Sequence, residues 1–243
     1  MGESPEIVPL GLDALLVRFA SRLDEEANRA CIAFRASLED EPIPGVVETA
    51  PSLASVLVRL DGAADEEEVG ARLRERLAAR DWTRAPEPER RLWHIPTSYG
   101  GEDGPQLGEV ARAAGMGEAE AVEVLSQARL RVLALGFAPG MPYLGILPPE
   151  WDVPRLSGLT PRVPEGALVL AVRQFVLFGT EAPTGWRQVG RTMFGCCRPD
   201  RRRPIALAAG DVVTFPSVNP DGLRTAADAD PEGHGGARWE PLK

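Results

Sequence analysis

Cysteine and histidine are scarce in this chain, basic charge is in deficit, and apolar runs stay short. Only Cys31, Cys196 and Cys197 occur in 243 residues. An odd, sparse count with one adjacent pair does not make a disulfide framework and suits reduced thiols. The two histidines, His94 and His234, stand at no metal-ligand spacing from a cysteine, which argues against a zinc site. Thirty-six acidic residues outweigh 27 basic ones, for a formal net charge of -9. That balance favours solubility and argues against nucleic-acid binding, which rests on clustered Lys and Arg. Arg198 with Arg201, Arg202 and Arg203 is the densest basic run, and it reads as a solvated loop. No apolar stretch reaches the roughly 18 residues that span a bilayer. The first residues, Met1 to Glu6, are acidic and lead into no signal-type segment, so a cytoplasmic location is expected. A Walker A loop and a nucleophile elbow are both missing.

What is present is a globular balance, with 44% hydrophobic and 26% charged residues. The length allows more than one domain. Ala14 to Phe19 predicts a strand. Asp24 suits an N-cap, with Glu25 and Glu26 in the first turn and Ala27, Ala30, Cys31, Phe34 and Leu38 at helical spacing. Val46–Thr49 and Val56–Leu60 predict strands joined across Pro51-Ser52. Asp65 caps a second helix carrying Val69, Leu73 and Leu77. After a polar connector from Asp81 to Arg91, Leu92–Ile95 resumes an extended pattern. The order strand, helix, strand, strand, helix, strand suits helices on one face of an antiparallel sheet. Two short helices follow, marked by Leu107, Val110 and Ala111, then by Ala121, Val122 and Leu125. Strand-sized runs at Arg131–Leu135, Ala167–Val172, Phe175–Phe178 and Asp211–Phe215, broken by Gly and Pro, suggest a β-barrel or sandwich. The polar, Gly-rich stretch from Asn219 to Lys243 reads as a tail or a loosely attached strand.

Five motifs carry a family resemblance. They are Tyr99-Gly100-Gly101-Glu102-Asp103-Gly104-Pro105; Gly136-Phe137-Ala138-Pro139-Gly140-Met141-Pro142-Tyr143-Leu144-Gly145; Pro154-Arg155 with Pro161-Arg162-Val163-Pro164-Glu165-Gly166; Gly190-Arg191-Thr192; and Gly210-Asp211-Val212-Val213-Thr214-Phe215. In order and spacing, over residues 7 to 218, they resemble the family that includes the B subunits of bacterial 5-oxoprolinases and the KipI-type kinase inhibitors. The family is also labelled allophanate hydrolase subunit 1, or carboxyltransferase domain subunit 1. The resemblance implies an α+β chain. Residues 1–90 would form a ferredoxin-like domain, 91–218 a cyclophilin-like β-barrel and 219–243 a polar tail. It further implies an ATP-dependent hydrolase opening 5-oxoproline to glutamate, with ATP shared among subunits. The partners implied are a second cyclophilin-like barrel subunit, of the allophanate hydrolase subunit 2 type, and a lactam-hydrolase-type subunit. A histidine-kinase inhibitor and a urea carboxylase-type carboxyltransferase subunit are the alternatives. The chain has no Met-Lys-Met biotin-attachment sequence, so any biotin would arrive on a partner.

Residue chemistry suggests binding groups but names no catalytic residue. The guanidinium forks of Arg155 and Arg162 match a carboxylate bidentately, or form surface ion pairs. Gln174, inside an apolar run, could take an amide substrate or a neighbouring loop. Trp186 is a pocket wall or core, and Arg191 an anion ligand or an anchor of the barrel end. Gly136, Pro139, Gly140, Pro142, Tyr143 and Gly145 shape either a ligand loop or a barrel corner. His94 reads as structural. Cys196-Cys197 could react through the nearby arginines, or pack in a strand.

The chain also departs from the family pattern. A His and a Tyr usual before the 136–145 motif are replaced by Leu125 and Leu130, and Leu cannot transfer a proton. Phe175-Val176 replaces the usual Thr-Gly after Gln174. Strand alternation puts 174 and 176 on one face and 175 on the other. A pocket obstructed by Phe175, Val176 or both is therefore expected.

Overall fold

A computed structural model of the chain describes residues 4–86 and 88–242, so Met1 to Glu3, Glu87 and Lys243 lie outside the described residues. The chain divides after Glu89 into two compact units.

The first unit is assembled around one long helix. Strands β1 (Glu6–Pro9) and β2 (Ala14–Arg18) lead into α1 (Glu25–Asp40). The Asp24 carboxylate accepts the Ala27 N–H at 2.9 Å, which is the cap that the acidic first turn predicts. Ala27, Ala30, Cys31, Phe34 and Leu38 form the buried stripe of α1. Phe34 meets Phe19 and Trp82 edge-on at 5.6 and 5.0 Å. Next come β3 (Val46–Pro51), β4 (Ser55–Leu60) and α2 (Glu66–Ala78), capped by Asp65. The sheet order is β1-β2-β4-β3, antiparallel throughout.

This topology corrects the expected one at both ends. The extra strand β1 pairs with β2 through a short local turn, a contact that closes with little loop entropy. Leu92–Ile95, expected to finish this sheet, lies instead in the second unit. β1 thus occupies the sheet edge beside β2 that the last strand of a ferredoxin-like domain would take.

The second unit contains β5 (Arg90–His94), β6 (Ser98–Tyr99), α3 (Leu107–Ala113), α4 (Glu118–Gln127), β7 (Leu130–Leu135), β8 (Pro142–Gly145), β9 (Thr160–Val163) and β10 (Ala167–Ala171). β11 (Gln174–Leu177), β12 (Ala182–Thr184), β13 (Arg187–Arg191), β14 (Val212–Thr214), α5 (Pro220–Asp228) and β15 (Arg238–Leu242) follow. Nine strands form one sheet in the order β15-β5-β14-β7-β8-β11-β10-β13-β6, and β12 pairs with β9. The extended segment 90–99 pairs with β14 at its start and with β13 at its end. Between those pairings Thr97 donates to the Pro216 carbonyl and accepts from Val218, each at 2.9 Å. The sheet thus curls back onto its own starting segment, as a cyclophilin-like barrel would require.

One carboxylate fastens β5 to its surroundings. Asp211, 2% exposed, accepts from the Arg91 guanidinium, the Arg91 and Ala208 amides and the Trp93 indole. A buried carboxylate needs such saturation. The aspartate of the 210–215 motif is therefore a structural hub.

The stretch after residue 218 is structured where a tail or loose strand is expected. Asn219 caps α5 by accepting the Gly222 N–H at 2.7 Å, and Pro220 opens the helix. β15 pairs with β5 along five residue positions. No helix among the described residues is long and apolar enough to cross a membrane.

Candidate functional site

The 136–141 stretch is the connection of the β7–β8 hairpin. The Met141 amide donates to the Ala138 carbonyl at 3.1 Å, with Pro139 and Gly140 between them. Gly140 has φ 72°, so Pro then Gly fits a type II turn. A Cβ on Gly140 would lie 2.2 Å from the Cys196 carbonyl oxygen. The loop turns a corner of the sheet, and it also throws Phe137, at φ 71° and 75% exposure, toward a cavity mouth.

That cavity, of about 290 Å³, is lined by Phe137, Met141 and Tyr143 of the hairpin and by Val176 of β11. Arg155, Leu156 and Leu159 form a second wall, and the 183–186 turn a third. The Arg155 guanidinium stands 5.3 Å above the Trp186 ring. Tyr143 meets the same ring edge-on at 6.5 Å. The Thr184 hydroxyl accepts the Trp186 amide at 3.1 Å, leaving its own proton to donate. Among the described residues no carboxylate lies within ion-pair distance of Arg155.

These groups suit a small anion with an apolar, compact body. The guanidinium offers a planar fork for a carboxylate, the hydroxyls of Tyr143 and Thr184 offer polar contacts, and the remaining lining is mostly apolar. The lining includes no carboxylate, imidazole or thiol. Proton transfer by the side chains of this cavity is therefore confined to hydroxyls.

The structure brings Arg155, Trp186 and Tyr143 together and sets other candidates apart. Arg162 on β9 gives its Nε and Nη2 to one oxygen of Glu181, at 2.9 and 2.6 Å, and is the exposed ion pair among the two readings. Arg191 ends β13 and lines a different cavity of about 370 Å³ with Asp103, Glu165 and Thr192. Gln174 packs against Gly145, where a Cβ would come within 3.3 Å of its Cγ, and does not line the Arg155 cavity. Gly136 donates to the Met141 carbonyl at 3.0 Å, while Pro142 and Gly145 belong to β8.

The expected obstruction by Phe175 needs correction. Phe175 is fully buried on the other face of β11, edge-on to Phe215 at 5.7 Å. The pairing of β11 with β8 and β10 runs without a bulge, so alternation holds and Val176 alone faces the cavity. The cavity remains open beside it.

Leu125 and Leu130 are core residues. His94 contacts Thr214 through Nδ1 at 2.9 Å, in keeping with a structural role. Burial pushes the Cys196 thiol up to about 12, with Glu165 and Cys197 adding to it. A thiol so raised is protonated and unreactive at neutral pH. Sequence reasoning missed Thr184 as a polar group and Leu159 as wall. A threonine two residues before Trp186 is the ST-turn spacing that could have marked the first.

Taken with its curled sheet, the molecule is a mixed α/β protein with a cavity whose lining holds no carboxylate, imidazole or thiol. The chain belongs to the carboxyltransferase domain family, subdomains C and D, whose family model matches residues 5–207. It is 33% identical over 227 residues to the 5-oxoprolinase B subunit of Bacillus subtilis, covering 88% of this chain and 93% of that protein. The Escherichia coli O157:H7 protein of the same name is 37% identical over 175 residues, or 71% of this chain and 78% of its own length. Among solved structures, TTHA0988 superposes with a TM-score of 0.73 at 29% identity, over 86% of this chain and 40% of that longer one. The Kluyveromyces lactis urea amidolyase shares the fold, with a TM-score of 0.78 at 17% identity, over 98% of this chain and 16% of the enzyme.

Proposed function

We propose that this chain is the B-type subunit of a heteromeric, ATP-dependent 5-oxoprolinase, holding the substrate for ring opening to glutamate. The observation that carries the reading is the Arg155 guanidinium, poised over Trp186 in a cavity whose lining lacks carboxylate, imidazole and thiol. Arg155 takes the carboxylate of 5-oxoproline. The hydroxyls of Tyr143 and Thr184 meet the lactam, and Val176 and Trp186 pack against the ring methylenes. Phe137 and Leu159, both largely exposed, would shield the bound ring from water once a partner covers them. In this reading the second unit is the cyclophilin-like barrel, and the protein works in the cytoplasm.

One guanidinium and two hydroxyls suffice for a carboxylate and fall short of a triphosphate. The cavity therefore does not fit ATP, and no step through ATP is assigned to these residues. Phosphate binding and proton transfer belong to the partners, namely a second barrel subunit and a lactam-hydrolase-type subunit. This division agrees with the names of the bacterial relatives, each of which is one subunit among several.

The test is co-expression with candidate partner subunits, followed by an assay of ATP-dependent glutamate release. Arg155→Ala should raise KM for 5-oxoproline by about tenfold or more, the loss of a charge-assisted pair. No turnover with any partner sinks the reading. Recovery of a histidine kinase from native lysate, in place of a second barrel protein, replaces it with the inhibitor reading.

A further inference from the structure

Arg155 sits in a stretch without regular secondary structure, residues 152–159, so no strand ladder holds it. The Val153 carbonyl accepts the Val172 amide at 2.8 Å, and two hydrogen bonds flank Arg155 directly. The Leu156 amide donates to the Gly185 carbonyl at 2.7 Å. On the other side the Pro154 carbonyl, which joins directly to Arg155, accepts from Nη1 of Arg187. Arg187 is the first residue of β13 and follows Trp186 in sequence. Its side chain is 11% exposed, and its Nε donates at 2.8 Å to Glu109 on α3.

The geometry points to Arg187 as the positioning residue for Arg155, an inference that rests on the reading of the Arg155–Trp186 cavity as the carboxylate site. One guanidinium grips α3 at one end and the backbone before Arg155 at the other. Because Arg187 and Trp186 are neighbours, the same short segment supplies both the ring under Arg155 and the anchor of its backbone. The Gly185 carbonyl adds the third tie from the same turn. Arg155 and its aromatic shelf are thereby locked into one frame.

The chemistry explains why this takes an arginine. A lysine at 187 offers one ammonium on a flexible stem and cannot span Glu109 and Pro154 with fixed geometry. Without the bond to Pro154, the chain at 155 keeps the Gly185 tie on one side and, two residues before it, only the bond from the Val172 amide to the Val153 carbonyl. A lone cation–π contact is too weak to hold a long side chain in a single rotamer. Arg155 would then sample many positions, and the fork would no longer be preorganised for an anion. Arg187 itself lies outside the cavity lining.

The test uses the full chain labelled with 15N-arginine. The Nε–Hε cross-peak of Arg155, identified by its disappearance in Arg155→Lys, should show a ring-current shift that Trp186→Leu abolishes. In Arg187→Met and in Arg187→Lys that shift should collapse toward the position of freely exposed arginines, and the lysine variant serves where the methionine one fails to fold. A folded variant with the wild-type shift overturns the proposal. So does a wild-type Arg155 with no ring-current shift. In the assembled enzyme, Arg187→Lys should raise KM for 5-oxoproline by about tenfold and change kcat less. If the shift behaves as expected and the assembled enzyme opens no lactam, positioning stands and the substrate assignment fails. If the enzyme is active while shift and KM are unmoved in Arg187→Lys, the substrate assignment stands and positioning fails.

Discussion

Two loops rich in glycine and proline look alike in sequence and behave differently in space. The 99–105 loop is sealed against β13. Gly100 donates to the Val189 carbonyl, Gly104 donates to Gly100, and a Cβ on Gly104 would lie 2.0 Å from the Val189 oxygen. Gln106 and Gln188 close the contact by exchanging backbone and side-chain bonds. Burial also pushes the Tyr99 phenol up, and its hydroxyl donates to the Phe215 carbonyl at 3.0 Å. The 136–141 loop has one such constrained glycine, Gly140, whereas Gly136 has nothing within 4 Å of its would-be Cβ. Its Phe137 and Met141 side chains line a cavity. Motif density marks where chains come close, and only the surrounding side chains separate scaffold from site.

The sharpest way to probe this contrast is to cut the two faces of β11. Phe175→Ala should cost about 3–5 kcal/mol by emptying the core, measured by denaturant unfolding. Val176→Ala should cost less and change ligand affinity more. Comparable stability losses would show that the two faces are not distinct.

Next in size is Gly104→Ala. The clash is with backbone carbonyl, which cannot swing aside, so about 1–3 kcal/mol or more should be lost, lowering the thermal midpoint. A neutral outcome would unseat the sealed-loop description.

Val172, at φ 44° in the β10–β11 turn, is a β-branched residue in left-handed backbone. Val172→Gly should therefore stabilise by about 1 kcal/mol in the same melts. Gly136→Ala should also stabilise, by about 0.4–1 kcal/mol, because its backbone is ordinary and its surroundings open. A loss there would mean that the hairpin loop is sealed after all.

The last expectation has no effect near neutral pH. Burial raises the thiols of Cys31 and Cys196 to about 12, from an ordinary value near 9. Folded-state values above unfolded ones give stability that is complete below about pH 9 and lost as pH rises toward 12. Alkylation of the folded protein at pH 8 should leave both thiols unlabelled, and unfolding should release them.

Local features were legible in the sequence, and long-range ones were not. The caps at Asp24 and Asp65 depend on neighbours three residues away, and both form as read. Arg155 and Trp186 stood in quotable motifs. The partners Arg187 and Glu109 lie 78 residues apart, and Arg91 and Asp211 lie 120 apart, so no window of sequence joins them. The Asn219-Pro220 start of α5 was a readable signal, masked by the polar composition that follows it. The alternation along β11 was read correctly, but that Phe175 packs toward Phe215 and Val176 toward the Arg155 cavity depended on the strands around β11, whose places in the sheet no periodicity states.

The N-terminal strand β1 completes the first sheet from within residues 6–60. Every strand of that sheet, both helices and the Phe34 cluster thus belong to one uninterrupted stretch that ends at Glu89. In genetic terms the first unit is a cassette. A cut at the polar connector tears no strand from either sheet.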